Sequence, residues 1–142
     1  MSAAKPDRFL LDTSAVLVLT DEDPGWDFVE NLLERAREGE IEVVLCAVSL
    51  MELYYVALRE QGEDPAARLV ALVKAWPISW IYPDERMLLA AGRLKAQHRL
   101  SFADAVVAAA AARRRAVLVH RDPEFEGLAA AVARQALPYR GR

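Results

Sequence analysis

Short apolar runs of strand length alternate with longer segments of helical periodicity along this chain, and this alternation limits the folds open to it. Four such runs can be identified: Arg8 to Leu11, Ile41 to Cys46, Ile78 to Tyr82 and Ala116 to Val119. Strands that alternate with helices are typical of a parallel sheet covered by helices on both faces. The sequence therefore predicts an α/β fold, with residues 1–142 forming a single domain.

The helices of the first half are predicted from their breakers and capping residues. Asp23-Pro24 matches an N-cap followed by proline at the first helical position, and the helical spacing continues until Gly39. A second helix is predicted from about Val48 to Gln61. Asp64-Pro65 then predicts the start of a third helix that ends near Ala75.

Two further helices and a C-terminal strand are predicted for the second half. The helix after Pro83-Asp84 is expected to bury the residues that recur at helical spacing, namely Met87, Leu88, Ala91 and Leu94. The helix that begins at Ser101 has an expected buried stripe of Phe102, Ala105, Val106, Ala109 and Ala112. Leu128 to Ala133 favours a helix, and Arg134 to Tyr139 is compatible with a terminal strand.

Composition indicates a cytoplasmic protein. Cys46 is the only cysteine, so neither an intrachain disulfide nor a cluster of thiolate metal ligands can form. The longest apolar runs, such as Ala105 to Ala112, are far shorter than the roughly 18 residues that a membrane helix requires. Asp12 interrupts the apolar stretch from Phe9 to Thr20, which argues against a secretion signal. No membrane association is therefore expected.

Four acidic residues stand just after a predicted strand or at the start of a predicted helix. They are Asp12, Glu52, Asp104 and Asp122. In open α/β sheets, ligands bind outside the carboxyl ends of the strands, and the predicted sheet brings such positions to one edge. Carboxylates gathered there repel one another unless a cation lies among them.

Each of these acids also has a purely structural explanation. Ser49 to Glu52 and Ser101 to Asp104 both match the spacing of a capping box at a helix start. Asp122 before Pro123 is a plausible N-cap, and Asp12 suits an Asx-type turn. Pattern alone leaves the capping and the metal-binding interpretations equally open.

Charge does not favour a nucleic-acid binder, because the formal net charge is −3. If the acids hold metal, however, the bound cations dominate the local field. The basic residues are mostly arginine, which suits bidentate contact with phosphate.

Four segments together resemble the PIN-domain family, and in particular the toxic ribonucleases of VapBC-type toxin–antitoxin pairs. These segments are FLLDTSA, SLMEL, LSFADAVVAA and VLVHRDPEF, and they occur in order over nearly the whole chain. The resemblance implies a PIN-like three-layer fold, in which helices flank a five-stranded parallel sheet. It also implies acids clustered at one edge of that sheet around Mg²⁺ or Mn²⁺.

The resemblance assigns roles to individual residues. Asp12, Glu52, Asp104 and Asp122 match the family's catalytic and metal-binding acids, and Ser14 matches the hydroxyl beside the first acid. Where the family usually carries threonine or serine two residues before the fourth acid, this chain has His120. His120, Thr13 and Arg121 are candidate substrate contacts.

The function that these residues imply is metal-dependent endoribonuclease activity, as the toxin of a type II toxin–antitoxin system. RNA is then the substrate, and the resemblance implies a cognate antitoxin and a homodimer. Hydrolysis by a metal-activated water leaves 5′-phosphate and 3′-hydroxyl ends.

Two other functions remain open from the residues. A non-catalytic interaction module would use the acids only as helix caps. An aspartyl-phosphate phosphatase would use Asp12 as its nucleophile, although such enzymes need another acid two residues later, where this chain has Ser14.

Overall fold

The computed structural model describes residues 5–128 and 132–140 and contains a five-stranded sheet at its centre. The strand order is β3-β2-β1-β4-β5, and every neighbouring pair is parallel. The predicted α/β fold with a parallel sheet is confirmed.

The elements of the first half are two strands and four helices. In chain order they are β1 (Arg8–Leu11), α1 (Thr13–Thr20), α2 (Trp26–Arg37), β2 (Glu42–Cys46), α3 (Ala47–Gln61) and α4 (Glu63–Lys74). The described part of the second half supplies three strands, two α-helices and a short 3₁₀ helix. These are β3 (Ser79–Ile81), α5 (Glu85–Gln97), α6 (Phe102–Arg114), β4 (Val117–His120), the 3₁₀ helix Pro123–Gly127 and β5 (Arg134–Ala136).

Two hydrophobic cores lie on opposite faces of the sheet. Leu10 and Leu118 belong to the core that includes the buried residues of α5 and α6. Their neighbours Leu11 and Val119 belong to the core beneath α1 and α2. Successive strand residues point to opposite faces, so strands that are apolar throughout bury both faces and produce the three layers.

Two helix starts were predicted wrongly because aspartate-proline pairs were taken as the helix boundaries. Helix α2 begins after Gly25, which adopts a φ of 100°. Asp23 lies before the helix, where its carbonyl oxygen accepts a hydrogen bond from the Trp26 amide. Helix α4 begins after Gly62, which places Pro65 inside the first turn. Proline is tolerated there because first-turn amides have no helical partner.

Three residues assigned to buried helix faces are exposed. Phe102 is 80% exposed and Leu88 is 52% exposed, and Ala112 also faces solvent. The ammonium group of Lys95 lies over the Phe102 ring, with Nζ 5.2 Å from the ring centre.

The C-terminal predictions have separate outcomes. The predicted terminal strand is present but short, because β5 contains only Arg134–Ala136. Residues 129–131 of the helix predicted from Leu128 to Ala133 lie outside the described residues. Within residues 5–128 and 132–140, no helix has both the length and the apolar character needed to span a bilayer.

Candidate metal centre

Four acidic side chains meet at the edge of the sheet where β1 and β4 end. Asp12 directly follows β1, Asp122 lies just beyond β4, Glu52 lies on α3 and Asp104 lies on α6. Charge repulsion from Glu52 and Asp122 acts on Asp12, and repulsion from Asp12 and Asp122 acts on Asp104. The structure therefore places the four acids that were identified from the sequence within range of charge repulsion. Of these four, Asp104 and Asp122 belong to the group whose ligand oxygens lie within 4.8 Å of one another in the described part of the chain.

Asp12 combines deep burial with an unpartnered oxygen. Its side chain N-caps α1, because Oδ2 accepts hydrogen bonds from the Ser14 amide at 3.1 Å and from the Ser14 hydroxyl at 2.5 Å. The residue is only 2% exposed, and Oδ1 has no hydrogen-bond partner among the described residues. Burial raises the pKa of Asp12 from 3.8 to about 6, despite the Ser14 hydrogen bonds, which lower it. A buried carboxylate oxygen without a partner is costly unless a cation occupies the space beside it.

Ser14 connects the ends of two neighbouring strands. While its hydroxyl donates to Asp12, its Oγ accepts from the backbone amide of Arg121 at 2.9 Å. The Ser14 hydroxyl thus links Asp12 to the segment that carries Asp122. This contact supports the importance assigned to Ser14 from its position in the sequence.

Thr13 orients Glu52 rather than facing solvent. Its Oγ1 lies 2.6 Å from Glu52 Oε1 and 2.9 Å from Ser49 Oγ, and Thr13 and Ser49 are both buried. The predicted capping box of Ser49 and Glu52 is wrong, because α3 begins at Ala47 and Glu52 therefore lies in its second turn. The Glu52 side chain is oriented by Thr13 on the neighbouring helix α1, and not by a capping bond at the start of α3.

Asp104 forms only half of the predicted capping box. The Ser101 hydroxyl accepts the Asp104 amide at 3.2 Å, while the Ser101 amide is directed to Glu124 Oε2 at 3.3 Å. Burial raises the pKa of Asp104 well above its ordinary value, and hydrogen bonds to the carboxyl groups of Glu124 and Asp122 raise it further. The Ser101 amide is therefore bonded by Glu124 and not by Asp104, whose carboxyl group faces other acids.

Glu124 is a member of the cluster that was not identified from the sequence. Ligand oxygens of Asp104, Asp122 and Glu124 all lie within 4.8 Å of one another. Asp122 Oδ1 accepts the Glu124 amide at 3.0 Å and so caps the 3₁₀ helix that carries Glu124. The available signal was the second acid of the segment VLVHRDPEF, to which no role was assigned from the sequence.

The structure does not favour direct substrate contact by His120, Arg121 or Thr13. His120 is 1% exposed, and burial lowers its pKa below the ordinary 6.5. The Arg121 guanidinium is bound to Asp23 at 2.6 Å, with 8% of its side chain exposed. Each of these three side chains already makes a hydrogen bond or an ion pair within the protein.

The donor set fits a hard divalent cation. Every candidate ligand atom is a carboxylate oxygen, which Mg²⁺ and Mn²⁺ prefer over nitrogen or sulfur. The only cysteine, Cys46, is buried in the core, and the His120 Nδ1 is already used by a backbone amide. Asp12 Oδ1 supplies the unpartnered oxygen that such an ion requires.

Fold and site together define an α/β protein with an acidic centre at the carboxyl edge of a parallel sheet. The chain belongs to the PIN domain family, whose model matches residues 9–131. The resemblance identified from the sequence is confirmed. No curated protein matches this chain by sequence.

Several solved structures share the fold at low sequence identity. VapBC2 from Rickettsia felis, bound to a DNA fragment from its promoter, aligns with a TM-score of 0.75 and 15% identity, covering 92% of this chain and 99% of that one. VapBC-1 from nontypeable Haemophilus influenzae aligns with a TM-score of 0.67 and 22% identity, covering 91% and 97%. VapC20 from Mycobacterium tuberculosis, a sarcin-ricin loop cleaving toxin, aligns with a TM-score of 0.66 and 17% identity, covering 85% and 96%.

Proposed function

We propose that this protein is a metal-dependent endoribonuclease that hydrolyses RNA phosphodiester bonds, and that it is the toxin of a type II toxin–antitoxin pair. Membership of the PIN domain family supports a nuclease. Similarity to VapBC complexes and to a toxin that cleaves the sarcin-ricin loop supports an RNA substrate and a cognate antitoxin.

The observation that carries this proposal is the unpartnered, buried Oδ1 of Asp12 among other acids. A purely structural N-cap needs one carboxylate oxygen, and Asp12 already uses Oδ2 for that purpose. A non-catalytic module would gain nothing from a buried second oxygen that is repelled by Glu52 and Asp122. A phosphatase would need an acid at position 14, where Ser14 instead holds Asp12.

Asp12, Glu52, Asp104 and Asp122 are the residues that would hold the ion, which we propose to be Mg²⁺ or Mn²⁺. A bound ion of this kind supplies a water of lowered pKa and neutralises charge that develops on the phosphodiester. Ser14 and Thr13 fix the orientation of two of these carboxylates through short hydrogen bonds.

Partner binding is the second part of the proposal. Helix α3 exposes Met51, Tyr54 and Tyr55, and α4 exposes Leu72. Exposed aromatic and large apolar side chains are common anchors of protein interfaces. They are suited to an antitoxin or to a second copy of this chain in a cytoplasmic homodimer.

The direct test is cleavage of a panel of structured and single-stranded RNAs with Mg²⁺, with Mn²⁺ and with excess chelator. We expect cleavage only with added metal, leaving 5′-phosphate and 3′-hydroxyl ends, which end-labelling and ligation assays can identify. Cleavage in chelator, or 2′,3′-cyclic phosphate ends, would contradict hydrolysis by a metal-activated water. Metal binding without cleavage of any RNA in the panel, including ribosomal RNA, would favour the non-catalytic module.

Glu124→Gln is expected to weaken Mn²⁺ binding roughly 10-fold or more, because partners of a metal centre typically contribute that much. Glu126→Gln is the matched control, since Glu126 lies on the same 3₁₀ helix but accepts its hydrogen bond from Tyr139 instead. Titration calorimetry on the two variants compares their affinities directly. If they bind Mn²⁺ as tightly as each other, Glu124 has no part in the centre.

A further inference from the structure

His120 lies beneath the acidic centre and not on its surface. The imidazole is 1% exposed, and its ring meets the buried Phe125 ring edge-to-face, with centroids 5.0 Å apart. Its Nδ1 accepts the backbone amide of Asp122 at 3.1 Å. The side chain therefore joins the core to the backbone of an acid in the centre.

This hydrogen bond has the same form as two others in the site. Asp12 accepts the amide of Ser14, and Asp122 accepts the amide of Glu124, in each case two residues later in the chain. Histidine Nδ1 is separated from Cα by as many bonds as an aspartate or asparagine Oδ atom. His120 thus forms an Asx-like turn with a ring nitrogen in place of an oxygen.

Two of these turns follow one another directly. His120 fixes the amide of Asp122, and the Asp122 side chain then fixes the amide of Glu124. Together with the bond from the Arg121 amide to the Ser14 hydroxyl, this pair of bonds sets the direction of the chain after β4. That direction decides whether Asp122 and Glu124 face Asp104, whose ligand oxygens lie within 4.8 Å of theirs.

We propose that His120 is a positioning residue: its unprotonated Nδ1 holds the Asp122 amide, and this turn presents Asp122 and Glu124 to the cation. Nδ1 is an acceptor only in the tautomer that carries its proton on Nε2. His120 then touches neither metal nor RNA. The inference rests on the proposed metal centre but not on which nucleic acid the protein cleaves.

Two variants of similar size separate the two ring nitrogens. His120→Asn places an acceptor at the distance of Nδ1, and His120→Gln places one further out, at about the distance of Nε2. For His120→Gln we expect faster hydrogen exchange at the Asp122 amide in the metal-free protein. Mn²⁺ affinity should fall about 10- to 100-fold in the same variant, as for other partners that orient metal ligands. His120→Asn should retain the slow exchange and most of the affinity.

The same variants give a kinetic signature if the protein cleaves RNA. At saturating metal, His120→Gln should lower kcat with little change in KM, because positioning an acid affects the reacting centre and not RNA binding. If His120→Gln is active and His120→Asn is inactive, the important contact is made through Nε2 and the proposal is overturned. Equal Mn²⁺ affinities in both variants and in the wild type, or equal losses in both variants, would also overturn it.

Nitrogen-15 spectra of the wild-type imidazole provide a test that does not depend on the variants folding. The proposal requires the tautomer with the proton on Nε2, and a proton on Nδ1 would overturn it. Exchange, tautomer and metal affinity are all measured without RNA. Absence of nuclease activity would therefore refute the proposed function while leaving this inference supported or overturned by its own measurements.

Discussion

Asp12→Asn is expected to abolish metal-dependent RNA cleavage while leaving the fold intact. Asparagine can still cap α1 by accepting the Ser14 amide, so the helix start is retained. It cannot supply the negative oxygen that Oδ1 offers to a cation. Loss of residues that only orient metal ligands costs roughly 10- to 100-fold, so loss of a ligand itself should exceed about 100-fold. Initial cleavage rates over a range of Mg²⁺ concentrations measure this effect.

Asp84→Asn is the matched control for this variant. Asp84 is also an N-cap aspartate, accepting the Met87 amide at 2.9 Å at the start of α5, but its carboxylate binds Arg113 and lies outside the acidic cluster. We expect its cleavage rate to stay close to that of the wild type. Asp12→Asn with full magnesium-dependent activity would remove Asp12 from the centre. Equal losses in both variants would indicate a general effect of altered capping.

The parallel sheet and the positions of the four acids beside strand ends or helix starts could be predicted from local patterns, whereas their grouping into one site was predicted from the resemblance to the PIN-domain family. The run Arg8 to Leu11 is short and largely apolar, and Asp12 follows it directly where β1 ends. Parallel pairing then places Asp12 and Asp122 at one edge without any knowledge of the side-chain packing. The positions of Asp12 and Asp122 follow from the direction and pairing of β1 and β4 alone.

Several local features could not be predicted because they depend on contacts distant in sequence. Helix α1 has the apolar sequence TSAVLVLT, which lacks an amphipathic pattern because both of its sides are largely buried. Helix α3 begins at Ala47, close to the predicted start near Val48, but Cys46 makes no side-chain capping bond and the capping-box interpretation of Ser49 and Glu52 was wrong. Sequence spacing is a weak guide where tertiary packing determines the helix start.

The roles of Glu124 and His120 were hidden for a different reason. An acid after proline is common on solvated surfaces, and only the approach of α6 makes Glu124 a neighbour of Asp104. The burial of His120 depends on Phe125, which the 3₁₀ helix folds back over the end of β4. Neither contact leaves a periodic signal in the sequence.

The metal-free protein is expected to lose stability as pH rises from about 4 to above 6. Asp12 has a pKa of about 6 in the folded protein and 3.8 as its ordinary value, so the folded state holds this proton more tightly than the unfolded state. The stabilisation from proton uptake is fully present below the unfolded pKa and is lost as pH rises through the folded pKa. A rise from 3.8 to about 6 corresponds to about 3 kcal/mol of unfolding free energy.

Asp12→Asn should remove the part of this pH dependence that comes from Asp12, leave the part that comes from the raised pKa of Asp104, and stabilise the metal-free protein at pH 7.5. Asparagine carries no charge to desolvate, although its weaker bonds to Ser14 offset part of the gain. The net increase should be about 1–3 kcal/mol, or about 3–10 °C in Tm for a chain of this size. Asp84→Asn should act in the opposite direction above pH 4, because the Arg113 hydrogen bond lowers the pKa of Asp84 to about 2.

Divalent metal should offset or reverse the difference in stability between wild type and Asp12→Asn. Mg²⁺ or Mn²⁺ that binds only the folded state at about 100 times its dissociation constant adds about 2.7 kcal/mol. The wild type should gain this stabilisation and Asp12→Asn should gain almost none, so the lead of the variant should fall to near zero or change sign once the ion is bound. Thermal unfolding with chelator and with metal, each from pH 4.5 to 8, measures both effects. The same carboxylate must both destabilise the metal-free protein and bind the ion. Parallel pH profiles and equal metal responses in the two proteins would therefore mean that Asp12 carries no buried charge and is not a metal ligand.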